Sequence, residues 1–356
     1  MESILYPGLF IWQASKYDES QMISFLKLIR ISLILLMLMH SADSFTQEVI
    51  QLQSAGFSGK LHDNIANEKR QGSGFNPLIL NDFPGKNIFR NDAVGLNFEH
   101  IFNGGRAQHS ISMFTPRQDP CHLRNIGENQ YEIFWPGKNS QWSLEARMAY
   151  DLSTNGQIDM EFECTPGEVK NYSQGYVAMM WASYMNRAID RNIHFWGREG
   201  GRVGWVQFGT DENGHMEVGT VAHVDATPLD FEEGAQTLNL TVHPEKKFIA
   251  PFYYGLLDGD QDLGTTDDKL LYLVMFDQSE PIRFAMWNFI KNKQGEPDTH
   301  SPAWDWQYVI KNPALNQTYK YRARIVIKPY LNKEQVWTEY RNWINKLQIS
   351  PSFRIP

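Results

Sequence analysis

The sequence predicts an all-β chain, a large antiparallel β-sandwich of supersandwich-like form carrying a C-terminal surface helix. Three observations support this. Apolar and polar residues alternate with period two in many short stretches, the side-chain repeat of a half-buried strand. Gly, Asn, Asp and Pro clusters separate these stretches at short intervals with no helical pattern between them, so neighbouring strands run antiparallel. A helical period is clear once, near the end of the chain.

Residues 45–75 show weak periodicity and are expected to form an N-terminal arm or short helix. Residues 76–356 are expected to fold as a single β-sandwich domain with its C-terminal helix. Turn signals at Asn76-Pro77, Pro84-Gly85 and Asn91-Asp92 open that body. In WSLEARMAYDL, Trp142, Leu144, Ala146, Met148 and Tyr150 share one face. In QIDMEFECTP, Ile158, Met160, Phe162 and Cys164 face one way while Asp159, Glu161 and Glu163 face the other. TLNLTVHP and YKYRARIVIKP repeat the alternation, and KLLYLVMFD and IRFAMWNFI are continuous apolar runs suited to strands covered on both faces. Residues 175–197 read as two strands joined by a polar turn. In the helix, Asn332 is the N-cap, Gln335 completes a capping box, and Val336, Tyr340, Trp343 and Leu347 form the apolar stripe, with Pro351 beyond its end.

The chain has 356 residues and a formal charge of −8, enough length for a large core and no general basic surface for nucleic acid. A local Arg/His pocket for an anionic substrate remains compatible with that balance. From Met22 the chain carries basic Lys27 and Arg30, an apolar run from Ile31 to Met39, and small residues before Phe45. This is the layout of a signal peptide, which makes residues 1–44 an upstream extension plus signal peptide starting at Met22. A periplasmic or secreted protein with no stable membrane span after cleavage is expected. Cys121 and Cys164 are the two cysteines; one disulfide or two buried thiols both fit.

The 175–197 stretch is dense in groups that Apolar strands do not need: Tyr184, Asn186, Arg187, Asp190, Arg191, His194 and Trp196. Tyr184 can protonate a leaving oxygen, His194 can take a proton, and Trp196 offers a sugar-stacking face; Arg198 and Arg202 follow at the rim. Upstream, GLNFEHIFNG places Asn97 and Glu99 on one strand face, with His100 on the other unless a bulge intervenes. Arg283 within an apolar strand asks for an internal acid or a substrate carboxylate. Trp304 and Trp306 flank Asp305, as core packing or as a carbohydrate platform. Asp159, Glu161 and Glu163 fit a solvated face or a sugar-hydroxyl site. Asp258, Asp260 and Asp262 fit a solvated hairpin loop first and a Ca2+ site second, and Leu263 and Lys269 exclude the EF-hand pattern.

The blocks GLNFEHIFNG, IDMEFECTP, WASYMN, IHFWG and SPAWDWQ resemble the oligosaccharide dehydratases of ulvan utilisation, polysaccharide-lyase-like proteins of marine polysaccharide-degrading bacteria. The resemblance spans roughly residues 75–345. It implies removal of water from a glucuronate or iduronate at the non-reducing end of an oligosaccharide, leaving a uronate unsaturated between C4 and C5, with no required cofactor. Set against that chemistry, Arg283 or Arg198 would neutralise the carboxylate, His194 or His100 would be the base and Tyr184 the acid. Trp196 and Trp304 would stack the sugar, and Asn97, Asn186 and Asp305 would read hydroxyls. A glycoside hydrolase using Glu99 or Glu161 with Asp305, and a non-catalytic carbohydrate-binding protein, are the alternatives.

Overall fold

The computed structural model describes residues 49–64, 72–106, 111–112, 114–168, 171–209, 219–235, 240–259, 268–288, 295, 300–351 and 353. The expected signal peptide lies outside these residues, as do Asp260 and Asp262. Thr46–Pro356 form one compact unit. No helix among the described residues is long and apolar enough to cross a membrane.

The described residues within 45–75 form strands where an arm or short helix was expected. β1 (Val49–Gln53) and β2 (Phe57–His62) pair with β3 (Gly74–Leu80) in a small antiparallel sheet. In β1 only Ile50 and Leu52 are buried between exposed Gln51 and Gln53, too short an alternation to read alone.

The remaining strands form one sheet. They are β4 (Asn97–Phe102), β5 (His122–Gly127), β6 (Gln130–Trp135), β7 (Leu144–Asp151), β8 (Gln157–Pro166), β9 (Tyr176–Ala182), β10 (Ile193–Glu199) and β11 (Arg202–Phe208). β12 (Thr220–His223), β13 (Val242–Phe248), β14 (Phe252–Asp258), β15 (Lys269–Phe276), β16 (Ile282–Trp287), β17 (Ala303–Lys311) and β18 (Tyr319–Pro329) complete it. The order is β4-β9-β17-β16-β12-β13-β10-β14-β15-β18-β8-β7-β6-β5, with β11 beside β10. All adjacent pairs are antiparallel except β12 and β13.

This sheet folds over on itself, so one of its faces becomes the core. Phe98 of β4 meets Trp135 of β6 with ring centroids 5.3 Å apart, and Trp181 of β9 meets Tyr321 of β18 at 5.4 Å. The indole of Trp306 donates to Tyr321 Oη at 2.9 Å across the same interior. The result is a sandwich: β4, β9, β17, β16 and β12 lie over β15, β18, β8, β7 and β6, joined through β13 and β10. Phe98, Trp181 and Trp306 stack in a ladder along the inner face, at 4.7 and 5.8 Å, the offset parallel contacts that favour aromatic pairs on neighbouring strands.

The expected 175–197 hairpin does not form. β9 pairs with β4 and β17, and β10 with β11, β13 and β14. Every residue of β9 is buried, so it needs a neighbour on each side, and 183–192 instead crosses from one layer to the other.

The outer side of the sheet carries two apolar clusters. On the second layer Tyr254, Leu271, Leu273 and Val326 meet Val336, Trp337, Tyr340, Trp343 and Ile344 of α1 (Lys333–Lys346). Asn332 caps this helix as expected, its Oδ1 accepting the Gln335 N–H at 3.1 Å. On the first layer Phe102, Tyr176, Ala178, Met180, Tyr184, Ala285 and Trp287 form the other cluster. Cys121 and Cys164 are separate buried thiols, and burial pushes the Cys121 thiol up to about 12.

Candidate active site

Pairing registers align seven residues in one row across the outer side of the sheet. His100 opposes Met180, Met180 opposes Gln307, Gln307 opposes Arg283, Arg283 opposes Ala222, Ala222 opposes Lys247, and Lys247 opposes Arg198. Residues directly opposite on neighbouring strands point to the same face. Six inter-strand steps make the row roughly 25–30 Å long. One end holds a histidine, the middle a guanidinium, and the other end two cations, Lys247 and Arg198.

At the β4 end a bulge sets the geometry. Phe98 opposes Trp181 and His100 opposes Met180, leaving Glu99 as the extra residue. The bulge turns His100 outward while Phe98 stays in the core. Glu99 is buried and binds the Arg117 guanidinium, and its other oxygen lies 3.7 Å from His100 Nε2. Phe102 and Phe114 flank the imidazole at 5.3 and 5.6 Å.

In the middle, Arg283 is 2% exposed. Its Nη1 donates to the Leu240 carbonyl at 3.0 Å, and among the described residues no carboxylate pairs with it. Burial pushes its pKa down to about 10, opposed by the Tyr176 phenol beside it. The group is still cationic throughout the physiological range. Lys247 is pushed down by burial and then by the charge of Arg283. A buried guanidinium held by a single carbonyl is costly unless an anion completes it. Arg283, Lys311, Thr227, Glu280, Ala226 and Val309 line a pocket of about 200 Å³.

A strap over residues 224–235 roofs this part of the row. The Glu232 N–H donates to Gly104 O at 2.8 Å, Glu232 Oε2 accepts from the Arg106 N–H at 2.7 Å, and Oε1 accepts from Gln174 Nε2 at 2.9 Å. Lys311 Nζ donates to Thr227 Oγ1 at the strap's other end.

The structure divides the residues singled out by sequence. Glu99, His100, Tyr184 and Arg283 share the outer side of the first layer, and Arg198 continues the row at its exposed end. His194 and Trp196 do not join Tyr184. Ile193 and Phe195 face the core, so His194 and Trp196 face outward on the second layer. There His194 bonds Asp190 at 2.9 Å and stacks on Tyr254 at 5.2 Å. Trp196 packs against Trp205 and Trp337 at 5.8 and 5.6 Å.

Trp304 cannot stack a sugar: it is fully buried, its ring lies on Gly255, and its Nε1 donates to Arg191 O at 3.3 Å. Asp305 is buried and accepts the Ser183 N–H at 2.9 Å. Asn97 accepts the Ser73 N–H at 3.2 Å, and Asn186 donates to Asn87 O at 2.8 Å. These amides and this carboxylate satisfy backbone groups. Asp258 binds Arg187 at 2.8 Å.

Asp159 takes a bidentate pair from Arg324 at 2.6 and 2.7 Å, and Glu163 binds Arg147 at 2.6 Å. Glu161 shares their face on the second layer and so does not oppose Asp305. Arg117, Tyr176, Gln307 and Lys247 escaped the sequence reading. Tyr176, Gln307 and Lys247 become site residues only through pairing with strands distant in the chain, and Arg117 only through its ion pair with Glu99, for which the local pattern carries no signal.

No protein-family model matches the chain, and no curated protein matches it. Among solved structures it is similar to a GalM/aldose epimerase homologue from C. elegans, at 8% identity and a TM-score of 0.39, with 80% of this chain and 99% of that chain covered. A galactose mutarotase-like protein from Lactobacillus casei ATCC 334 shows 9% identity and a TM-score of 0.44 over 79% of this chain and all (100%) of that one. An alpha-N-acetylgalactosaminidase from Bifidobacterium bifidum shows 10% identity and a TM-score of 0.26 over 64% of this chain and 38% of that one.

Proposed function

We propose that the protein is an exported, carbohydrate-active enzyme that holds an acidic oligosaccharide along the outer row, with a uronate carboxylate on Arg283. The reaction is elimination of water from a non-reducing-end glucuronate or iduronate of ulvan-type oligosaccharides. The observation that carries this reading is Arg283 itself, a buried cation with which no carboxylate among the described residues pairs, at a pocket whose own carboxylate, Glu280, is bound to Lys311. A carboxylate supplies the planar, bidentate partner that a guanidinium fits. Lys247 and Arg198 continue the positive row and suit further acidic units.

Neutralising the carboxylate makes the C5 proton removable. His100, beside Glu99 and fixed in place by the bulge, takes that proton. The C5–H electron pair forms the C4–C5 double bond, and the C4–O bond breaks with the oxygen leaving as water once protonated. Glu99, bound by Arg117, favours the imidazolium that this step creates.

The test is incubation of the pure protein with saturated uronate-ended oligosaccharides, followed by ultraviolet absorbance and product mass. Loss of one water with a new conjugated chromophore is expected. Chain cleavage without a chromophore would replace elimination by hydrolysis, and saturable binding without product would leave a carbohydrate-binding protein. Binding that survives Arg283→Met undiminished would remove Arg283 from the site.

A further inference from the structure

Tyr176 opens β9, and because Val177 faces the core, its side chain points to the outer side beside Arg283. It is 2% exposed. Its Oη has no hydrogen-bond partner among the described residues. Buried hydroxyls are rarely left so, and one that is calls for a reason. The surroundings are built close around it. Gly104 has φ +72°, and a Cβ there would collide with Tyr176 Oη. The same Cβ would come within 2.9 Å of Asp230 O and Phe231 Cβ in the strap. The absence of a side chain at 104 therefore lets strap and phenol meet, yet the described residues supply no acceptor to the hydroxyl.

Resting on the reading of Arg283 as the carboxylate anchor, we infer that Tyr176 is a catalytic residue that donates its phenolic proton to the oxygen departing from C4. A ligand whose carboxylate sits on Arg283 carries its neighbouring hydroxyls to the side of that guanidinium, where Tyr176 stands. The phenol loses its proton to the leaving oxygen, which departs as water, and the proton taken from C5 by His100 later returns to the phenolate through solvent. No other reactant is needed. Burial pushes the phenol up to about 12, against the charge of Arg283, which lowers it, and with a smaller upward push from Asp230, so it stays protonated and serves as acid rather than base.

The experiment is Tyr176→Phe, which keeps the ring and removes an oxygen that has no hydrogen-bond partner among the described residues. Thermal unfolding of the variant is expected to match the parent. On saturated uronate oligosaccharides kcat is expected to fall about 100-fold or more, with KM within about threefold. The discriminating measurement uses a substrate with fluoride in place of the C4 hydroxyl. Fluoride leaves with less need of a proton, so the deficit of Tyr176→Phe should shrink to about tenfold or less. Full turnover by Tyr176→Phe, or an equal deficit on both substrates, overturns the inference. Calorimetric binding of glucuronate to Arg283→Met tests the anchor separately. If that variant loses binding while Tyr176→Phe turns over normally, only the role of Tyr176 falls. If Arg283→Met binds as the parent does, the anchor fails, and the role of Tyr176 with it.

Discussion

The outer side of the sheet is used in two ways, and the contrast shows what marks a site. On the second layer the helix covers an apolar surface. At its C-terminal end lies a cleft of about 310 Å³ lined by Asp159, Arg324, Asp151, Arg322, Lys346 and Trp343. That cleft is larger than the one at Arg283, but its half-buried ions are held by protein and the rest face solvent: Asp159 binds Arg324, Arg322 binds Asp277, Asp151 accepts from Gln130, and Glu161 and Lys346 are exposed. The first layer has the smaller pocket and, among the described residues, a buried guanidinium without a carboxylate beside a buried phenol without an acceptor, Arg283 and Tyr176. Unpaired buried polarity, which costs free energy that only a ligand can return, outranks volume as a guide to function.

The comparison breaks most directly by exchanging the two faces' defects. Trp343→Ala removes a buried indole from under the helix and should cost about 3–5 kcal/mol, with uronate binding unchanged in the folded fraction. Arg283→Met should do the reverse, lowering uronate affinity about 100-fold while leaving stability equal or higher, since an apolar side chain replaces a poorly compensated buried charge. Denaturant unfolding and calorimetry on both variants decide it. A large stability loss in Arg283→Met would mean that its charge is structural.

Arginines on the two faces should also differ. The Glu99 side chain is 7% exposed and its partner Arg117 11%, so Arg117→Met strands a buried carboxylate at a cost of about 3–5 kcal/mol. Arg147, 49% exposed and bound to Glu163, should lose less than about 1 kcal/mol as Arg147→Met. Similar losses for both in urea unfolding would deny that the β4 end is desolvated.

Asp119 gives the pH counterpart. It lies two residues beyond Arg117, is buried, and its Oδ2 has no partner among the described residues. Burial raises its pKa to about 6, against hydrogen bonds from Gln141 that lower it. A carboxyl whose folded pKa is raised favours the fold while both states are protonated. That contribution is lost as pH rises from the unfolded value near 4 through about 6. Asp119→Asn should therefore match the parent below about pH 4 and exceed it by about 2 kcal/mol at pH 7–8. An advantage that does not vary with pH would place its origin elsewhere.

How much of this was legible differs by scale. Strands such as QIDMEFECTP and YKYRARIVIKP occupy the stretches where their alternation is written, because a period of two is a local property. The bulge at Glu99 is not local: it exists only against β9. The row from His100 through Gln307 to Arg283 unites positions about 200 residues apart in the chain. Arg283 was readable alone, since a charge in an apolar run needs a partner. Tyr184 with His194 misled because proximity in sequence spans a crossover between layers. Trp304 misled because an indole suits a core as well as a sugar.

The smallest effect belongs to the feature most plainly written in the sequence. Asn332 accepts the Gln335 N–H, while the Gln335 side chain accepts the Leu331 N–H at 2.9 Å and donates to Pro329 O at 2.9 Å. Asn332→Ala removes one capping bond and leaves the Gln335 side chain to hold the entry, so about 1 kcal/mol should be lost. Because the helix covers only the second layer, uronate affinity and turnover should not move. Hydrogen exchange should quicken in the first turn of α1 and stay unchanged in β9 and β16. Faster exchange in those strands would mean that the two faces respond as one, and the division of labour between them would fail.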